Sequence, residues 1–237
     1  MIEYGFQTDQ LYSASFGVRV IDSYPVIQYG SPSYTQKSIP GRRGTLTESD
    51  GTYSDTIISM DCDITLIDEV SVDLQYQRFI TLLMQSKKLI LEGMETRYFQ
   101  IKKVEVSDYE RYSDISIEFS LTFTCDPGVY LLSGDFFESV SNNQIINIYS
   151  MCEPVYRIEG TGSCTLTIND KELKCNVDGT IYIDTEKQEV VLESGQLSNT
   201  LVTGDFDDLY LKTGINSVSI TPGFALKVKP RWRWLHP

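Results

Sequence analysis

The clearest hydrophobic pattern of the chain lies between residues 115 and 124, where apolar and polar side chains alternate. A period of two predicts a β-strand with one buried and one exposed face. The apolar positions are Ile115, Ile117, Phe119, Leu121 and Phe123. The following Cys125-Asp126-Pro127-Gly128 predicts the end of this strand, because proline lacks a backbone N–H and glycine permits a sharp turn. We therefore predict that Phe123–Tyr130 is the exit from a first domain.

The preceding residues predict a β-rich unit that contains one helix. Residues Val70–Leu83 fit two periods. The strand-like alternation comprises Val70, Val72, Leu74 and Tyr76, and the helical spacing comprises Val72, Tyr76, Phe79, Ile80 and Leu83. Ser71 is a favourable N-cap residue, and we predict a helix over Val72–Gln85. The predicted strands of this unit, besides Ile115–Thr124, are Phe16–Ile21, Ser54–Thr65, Lys88–Leu91 and Tyr98–Val106.

The segment Val26–Leu46 contains three glycines and two prolines but few large aliphatic residues. Such a segment cannot form much core of its own. Loops of this length are uncommon inside compact domains and are usually functional. Two interpretations remain open: a mobile surface loop, or an arm that becomes ordered against another subunit.

The second half of the chain predicts many short strands joined by turns. Residues Gly134–Asn147 are rich in Ser, Asn and Gln, as in a linker. The predicted strands are Val155–Glu159, Cys164–Ile168, Lys171–Asn176, Thr180–Asp184, Glu189–Leu192, Ser217–Thr221 and Leu226–Pro230. The predicted turns are Gly160–Gly162, Asn169-Asp170, Val177–Gly179 and Thr213-Gly214. This pattern is typical of a β-sandwich or jelly-roll.

Composition narrows the class of protein. The 237 residues suit one or two domains, and the net charge of −13 argues against binding nucleic acid through its phosphates. The five cysteines form no C-x-x-C pair, so we expect free thiols in a reducing compartment. The first residues do not resemble a secretory signal, and no apolar run is long enough for a membrane helix. We expect a soluble protein made in the cytosol.

Residues that could perform chemistry are few. The single histidine, His236, leaves no Ser-His-Asp or Cys-His pair and no multi-histidine metal site. Asp205, Asp207 and Asp208 form the tightest carboxylate cluster, but Tyr210 and Asn216 stand where an EF-hand needs Gly and Glu. We expect a solvated acidic loop there, with a weak calcium site as the alternative. A glycosidase pair among Asp108, Glu110 and Asp114 is an alternative, although two carboxylates across a polar turn are commonplace. We predict no catalytic residue, metal or cofactor.

The tetrapeptide Arg231-Trp232-Arg233-Trp234 is the most unusual short sequence of the chain. Alternation places both indoles on one face, which suits a last strand that covers a core edge. Arg and Trp are also frequent in interface hot spots, so a subunit contact is one functional alternative and sugar stacking is another.

The order and spacing of several short motifs resemble the distal tail protein (Dit) family of siphophages that infect Gram-positive bacteria. The resemblance covers nearly the whole chain and rests on Ile39–Gly44, the helix before Lys88–Leu91, Tyr98–Val106, Phe123–Pro127, Pro154–Gly162, Gly204–Phe206, Gly214–Asn216 and Pro230–Leu235. It implies a mainly β fold with an N-terminal belt domain (1–133) and a C-terminal galectin-like β-sandwich (134–237).

The resemblance further implies a structural virion protein without enzymatic activity. Six copies would form a ring at the tail tip that links the tail-tube protein to the tail-associated (Tal) protein and to baseplate or receptor-binding proteins, while DNA passes through. Synthesis in the host bacterial cytoplasm, no membrane insertion and no sequence-specific nucleic-acid binding are expected. The candidate oligomer contacts are Pro40, Gly41, Arg42, Arg43 and Gly44, and the C-terminal candidates are Arg231, Trp232, Arg233 and Trp234. The alternative function is a glycan-binding or adhesion module that uses Trp232, Trp234 or Tyr182, and a glycan hydrolase ranks third.

Overall fold

The computed structural model describes residues 4–21, 24–67, 71–107 and 109–235, with only the backbone of residue 50. The described residues divide into two compact units. Unit 1 holds the residues up to Val129 together with Leu235, and unit 2 is Tyr130–Trp234. The predicted domains, 1–133 and 134–237, remain a prediction about independently folding parts. Within the described ranges, no helix is long and apolar enough to cross a membrane.

Unit 1 is built around one antiparallel sheet and one helix. Its strands are β1 (Phe6–Thr8), β2 (Val18–Val20), β3 (Val26–Gln28), β4 (Pro32–Ser38), β5 (Thr45–Tyr53), β6 (Thr56–Thr65), β7 (Lys88–Leu91), β8 (Arg97–Val106), β9 (Glu110–Arg111) and β10 (Ser116–Cys125). The helix α1 spans Val72–Leu83, and a short 3-10 helix spans Ser13–Phe16. The order in the sheet is β1-β7-β8-β10-β6-β2, with β3 also paired to β6 and β9 to β10.

Strand β10 has the two-faced character that its sequence predicts. The side chains of Ile117, Phe119, Leu121 and Phe123 are buried and the intervening ones are partly exposed. Ile115 is 55% exposed because the strand begins one residue later, at Ser116. The buried face packs against α1 in the first hydrophobic core.

The predicted helix is confirmed, two residues shorter than expected. It begins after Ser71, whose hydroxyl accepts a hydrogen bond from the Leu74 N–H at 3.3 Å, as an N-cap residue does. Val72, Phe79 and Leu83 are fully buried on its inner face. Helical spacing therefore prevails over the strand-like alternation of Val72, Leu74 and Tyr76, because it places the large apolar residues on one side.

The interpretation of Val26–Leu46 as a mobile surface loop is wrong, because most of the segment forms strands. Its ordering against another subunit stays a prediction. Its first residues form β3 in the main sheet, and β4 and β5 form a separate two-stranded hairpin. We call this hairpin, Pro32–Tyr53, the arm. Its strands are rich in threonine, serine and charged residues and contain few apolar ones, so they have strand propensity without the apolar face by which a strand is recognised.

Unit 2 is an all-β unit apart from short 3-10 helices at Leu132–Asp135, Asn199–Leu201 and Asp207–Leu209. Its strands are β11 (Val129–Leu131, which begins at the unit boundary), β12 (Glu138–Ser139), β13 (Gln144–Asn147), β14 (Val155–Ile168), β15 (Lys171–Asp184), β16 (Glu189–Leu192), β17 (Val202–Thr203), β18 (Gly214–Ile220), β19 (Ala225–Lys229) and β20 (Arg233–Trp234). The order is β12-β19-β14-β15-β16, with β13 on β18, β18 on β14 and β17 on β15. A second hydrophobic core lies within this unit.

Two predicted turns and the predicted linker in this half are wrong. The turns expected at Gly160–Gly162 and Val177–Gly179 do not exist, because β14 and β15 run through them as one paired hairpin of fourteen residues a strand. Gly160 is needed for packing instead, since a Cβ there would lie 2.3 Å from the Phe224 ring. The expected linker Gly134–Asn147 contains β12 and β13, two short strands paired at sheet edges. The turn at Asn169-Asp170 is confirmed, and both residues have positive φ angles.

The mainly β fold with a single α-helix among the described residues agrees with the predicted fold class. The galectin-like identity of unit 2 stays a prediction.

Candidate assembly surfaces

The first candidate surface is the tip of the arm, where all five predicted contact residues lie together. Pro40 and Gly41 form the centre of a tight turn that is closed by a 3.1 Å hydrogen bond from the Arg42 N–H to the Ile39 carbonyl. Gly41 has φ 84°, the left-handed conformation that a type II turn requires after proline. Residues Pro40–Gly44 are all exposed, and a Cβ added at Gly41 or Gly44 would meet open space.

The arm carries positive charge at its tip in a chain of net charge −13. Below the tip, the Lys37 Nζ pairs with the Glu48 Oε2 at 2.6 Å across the two strands. Arg42 and Arg43 lie beyond this pair. The arm also exposes Tyr34 by 59% and Ile39 by 42%. An exposed hairpin without a core gains little stability by itself, so this surface suits contact with another chain.

The second candidate surface is the polar face of the unit 1 sheet. Cross-strand register places seven charged side chains on the same face, and these are Arg19, Asp61, Asp63, Lys103, Glu105, Glu110 and Glu118. Arg19 binds the Asp63 carboxylate through two nitrogens, and Lys103 pairs with Glu105 at 2.7 Å. Asp61 accepts a hydrogen bond from Ser120. Among these seven residues, five carboxylates against two cations give a net negative charge.

The four C-terminal candidates lie mostly covered within unit 2. The Arg231 side chain is 18% exposed, and its guanidinium pairs with Asp184 at 2.7 Å and with Glu186 at 2.9 Å. Arg233 is 12% exposed and pairs with Glu153 at 2.8 Å. These residues therefore fasten the last segment to the rest of unit 2.

Titration of these ion pairs follows from their geometry. Burial by itself would raise the pKa of Asp184, but the hydrogen bonds and charge of Arg231 hold it below the ordinary value. Burial likewise opposes the charged form of Arg231, yet the carboxylates of Asp184 and Glu186 keep the pKa of this guanidinium above its ordinary value. Both groups are charged at neutral pH.

The aromatic rings that could stack on a sugar already pack on protein neighbours. Trp232 packs against the second core and lies 5.7 Å from the Tyr149 ring, which Trp234 contacts edge-on at 5.2 Å. Tyr182 lies 5.8 Å from the Phe137 ring and 5.9 Å below the Arg157 guanidinium. These contacts agree with indoles that cover a core edge.

Of the acidic residues considered for chemistry, Asp114 and Asp205 lie in exposed loops, Asp207 and Asp208 begin the short 3-10 helix Asp207–Leu209, and Glu110 is exposed on β9. Asp207 accepts hydrogen bonds from Tyr210 and Gln188, and Asp208 pairs with Lys171 at 3.2 Å. Asp114 pairs with Arg111 at 3.3 Å. No group of three potential metal ligands occurs among the described residues. Asp108 and His236 lie outside the described residues.

One exposed apolar cluster in unit 2 was not predicted. Ile146 on β13 and Ile215 on β18 face one another across the strand pair, and they are 63% and 69% exposed. Ile148, two residues after Ile146, is 73% exposed. The sequence analysis did not predict this cluster, because Ile146 lies in the polar segment that was expected to be a linker.

No family model and no curated protein matches the chain. Among solved structures, the chain is similar to the SPP1 Dit protein, described as a paradigm of the hub adsorption apparatus in phages that infect Gram-positive bacteria. The sequence identity is 15%, the TM-score is 0.59, and the match covers 95% of this chain and 97% of the other. The chain thus has the fold of SPP1 Dit over nearly its whole length.

Proposed function

We propose that this chain is a structural subunit of a siphophage tail tip, a distal tail hub protein. The observation that carries the proposal is the common fold with SPP1 Dit over nearly the full length of both chains. In this proposal six copies form a closed ring that joins the tail-tube protein to the Tal protein and other baseplate proteins. DNA leaves the phage through the centre of the ring.

The arm supports this proposal physically. A closed ring needs a heterologous interface, in which one surface of a subunit meets a different surface of its neighbour. The arm is a separate two-stranded sheet with an exposed cationic tip, and the acidic remainder of a neighbouring copy is electrostatically complementary to it. We propose that Pro40–Gly44 contact the adjacent subunit. The covered side chains of Arg231–Trp234 favour the arm over the C-terminal segment as the main contact.

The polar sheet face supports DNA passage. A negatively charged lining repels phosphates, so that DNA passes without being retained. We propose that the face that carries Asp61, Glu105 and Glu118 lines the channel. These three residues lie on the same face of the adjacent strands β6, β10 and β8.

Removal of the arm tests the ring. Because β3 belongs to the main sheet and the arm begins at Pro32, the deletion should replace Ser33–Thr52 with a two-residue turn and keep β3 and β6. We expect light scattering and native mass spectrometry to show a hexamer for the unaltered chain at high concentration and a folded monomer for the deletion variant. A variant that remains hexameric would contradict the role of the arm.

A charge-reversal pair supplies a sharper control. The variant Arg42→Glu/Arg43→Glu should dissociate the ring, whereas Lys187→Glu/Lys212→Glu, which makes the same charge change on exposed residues of unit 2, should leave it intact. If both variants dissociate equally, the general charge of the chain and not the arm tip controls assembly. An unaltered chain that stays monomeric at high concentration and binds no tail protein would overturn the proposed function itself.

A glycan-binding module is not proposed as a second function. The rings of Trp232, Trp234 and Tyr182 contact aromatic neighbours within unit 2, and no specific contact favours that alternative.

A further inference from the structure

Two cysteines of unit 2 face one another in the long β14–β15 hairpin. Cys164 lies directly opposite Cys175 in the antiparallel register. Both side chains point inward and are only 4% and 3% exposed. All five cysteines are free thiols, and these two form the only cysteine pair in register among the described strands.

The backbone geometry suits a covalent link. The N–H of Thr221, the residue after β18, donates to the Thr165 carbonyl at 3.2 Å, so the backbone groups of Thr165 point towards β18. Successive residues of a strand point their backbone groups to opposite sides, so those of Cys164 point towards β15. Cys164 and Cys175 are therefore a hydrogen-bonded pair of opposite residues. Opposite residues of this hydrogen-bonded type have Cα atoms about 5.5 Å apart, which is close to the separation most common in disulfides. The parallel Cβ directions of such a pair strain the bond, and a strained disulfide is easily reduced.

A reagent can reach the pair from the surface. A cavity of 330 Å³ is lined by Cys164 and Cys175 together with Ser163, Lys174 and Thr203. Strand β17 pairs with β15 at Lys174 and Cys175 and is only two residues long. Short elements with few hydrogen bonds open at low free-energy cost, so β17 is the element that admits a larger reagent.

We propose that Cys164 and Cys175 form a reversible thiol–disulfide site that is oxidised by low-molecular-weight disulfides such as oxidised glutathione. One protein thiolate attacks the glutathione disulfide, which forms a mixed disulfide and releases one glutathione thiolate. The second protein thiolate then attacks the protein sulfur of that mixed disulfide and releases the second glutathione. The protein loses two electrons to the oxidant, and the two thiol protons pass to the released glutathione. The site does not depend on the proposed hub function.

The test uses the unaltered full chain. The reduced protein is incubated with oxidised glutathione at about pH 8.5, because burial raises the pKa of the Cys175 thiol to about 12 and keeps the thiolate scarce. Free thiols are then alkylated and the peptides are mapped by mass spectrometry. We expect a Cys164–Cys175 link that dithiothreitol removes, with Cys62, Cys125 and Cys152 alkylated. A link that forms only in denaturant, or free thiols at both positions, would overturn the proposal.

Two variants separate the steps. Cys175→Ser should stop the reaction at the first step, so that Cys164 retains one glutathione adduct. Cys152→Ser, which removes a thiol paired in register with Leu211, should leave the yield of the link unchanged. If Cys175→Ser does not fold, the peptide map of the unaltered chain still decides.

Discussion

At the scale of single residues, a close backbone approach at Gly134 positions the last segment of unit 2. Gly134 is buried, and a Cβ at this position would lie 2.3 Å from the backbone nitrogen of Trp232. The Arg231 N–H also donates to the Gly134 carbonyl at 2.8 Å. The last segment of unit 2 can therefore reach its position only because residue 134 has no side chain.

We expect Gly134→Ala to destabilise the protein by about 1–3 kcal/mol, because the C-terminal segment must move to accommodate the methyl group. Urea unfolding measures this change. The neighbouring exposed Ser133→Ala is the matched control and should change the free energy of unfolding by no more than about 0.5 kcal/mol. Equal effects of the two substitutions would show that the close approach of Trp232 is unimportant.

The ion pair between Asp184 and Arg231 makes a pH-dependent contribution. We expect Asp184→Asn to cost about 1–3 kcal/mol at neutral pH, because it leaves a largely buried guanidinium short of a charged partner. The folded-state pKa of Asp184 lies below its ordinary value of 3.8. The stabilisation is therefore fully present above about pH 4 and is lost as the pH falls through the folded-state pKa.

Stability measured against pH checks this sign. The difference between the unaltered chain and Asp184→Asn should shrink as the pH falls below about 4. Glu186→Gln, at the more exposed partner of the same arginine, should have a smaller effect. A difference that is constant from neutral to acidic pH would contradict the electrostatic explanation.

At the scale of elements, one buried amide holds the helix to the sheet. The Gln75 side chain is 3% exposed. Its Nε2 donates to the Phe16 and Thr65 carbonyls at 2.8 Å, and its Oε1 accepts from the Ile67 N–H at 3.0 Å. One side chain therefore joins α1, the first 3-10 helix and the end of β6.

We expect Gln75→Met to destabilise the protein by about 2–4 kcal/mol, because a side chain of similar size leaves three backbone groups without partners. Thermal or urea unfolding gives the difference. Gln77→Met, on the exposed face of the same helix, should be nearly neutral. If both substitutions cost the same, helix propensity and not the buried hydrogen bonds would explain the loss.

The sequence predicted elements well where one face is apolar, and poorly elsewhere. Strand β7 and strand β16 have the predicted bounds, because burial on one side imposes an alternating pattern. The arm and β12 lack an apolar face, so their strands depend on pairing with a neighbour and leave little periodicity in the sequence. Glycines in β14 and β15 resembled turns because close packing and chain reversal favour the same residue.

At the scale of the whole molecule, charge is the property most closely tied to the proposed function. If the polar sheet face lines a DNA channel, Asp61→Lys/Glu105→Lys/Glu118→Lys should make the ring retain duplex DNA at low salt, with retention lost as salt rises. A gel-shift or filter-binding assay measures this. The unaltered chain should retain none.

The control makes the same charge change on the other unit. The substitutions Glu172→Lys/Asp178→Lys/Glu193→Lys alter three exposed carboxylates of unit 2. This variant should retain much less DNA than the variant of the polar sheet face. Equal retention by both variants would show that only the net charge matters.

For the candidate surfaces, the sequence identified the residues and the structure showed which of them are exposed. The sequence located Pro40–Gly44 and Arg231–Trp234 as unusual, but it did not show that the first is exposed and the second mostly covered. That difference depends on carboxylates at positions 153, 184 and 186, which lie far from the arginines in sequence. Neither the Cys164–Cys175 pair nor the Ile146–Ile215 pair has a local pattern.

By itself, the sequence determined the β-rich class, the single helix of the described residues and the core faces of its longest strands, because burying one face requires a local period that can be counted. Only the tertiary structure decided which strands pair, which charges are covered and which residues meet across the sheets. Those outcomes depend on register between distant segments, and a short segment of sequence contains no information about its distant partner.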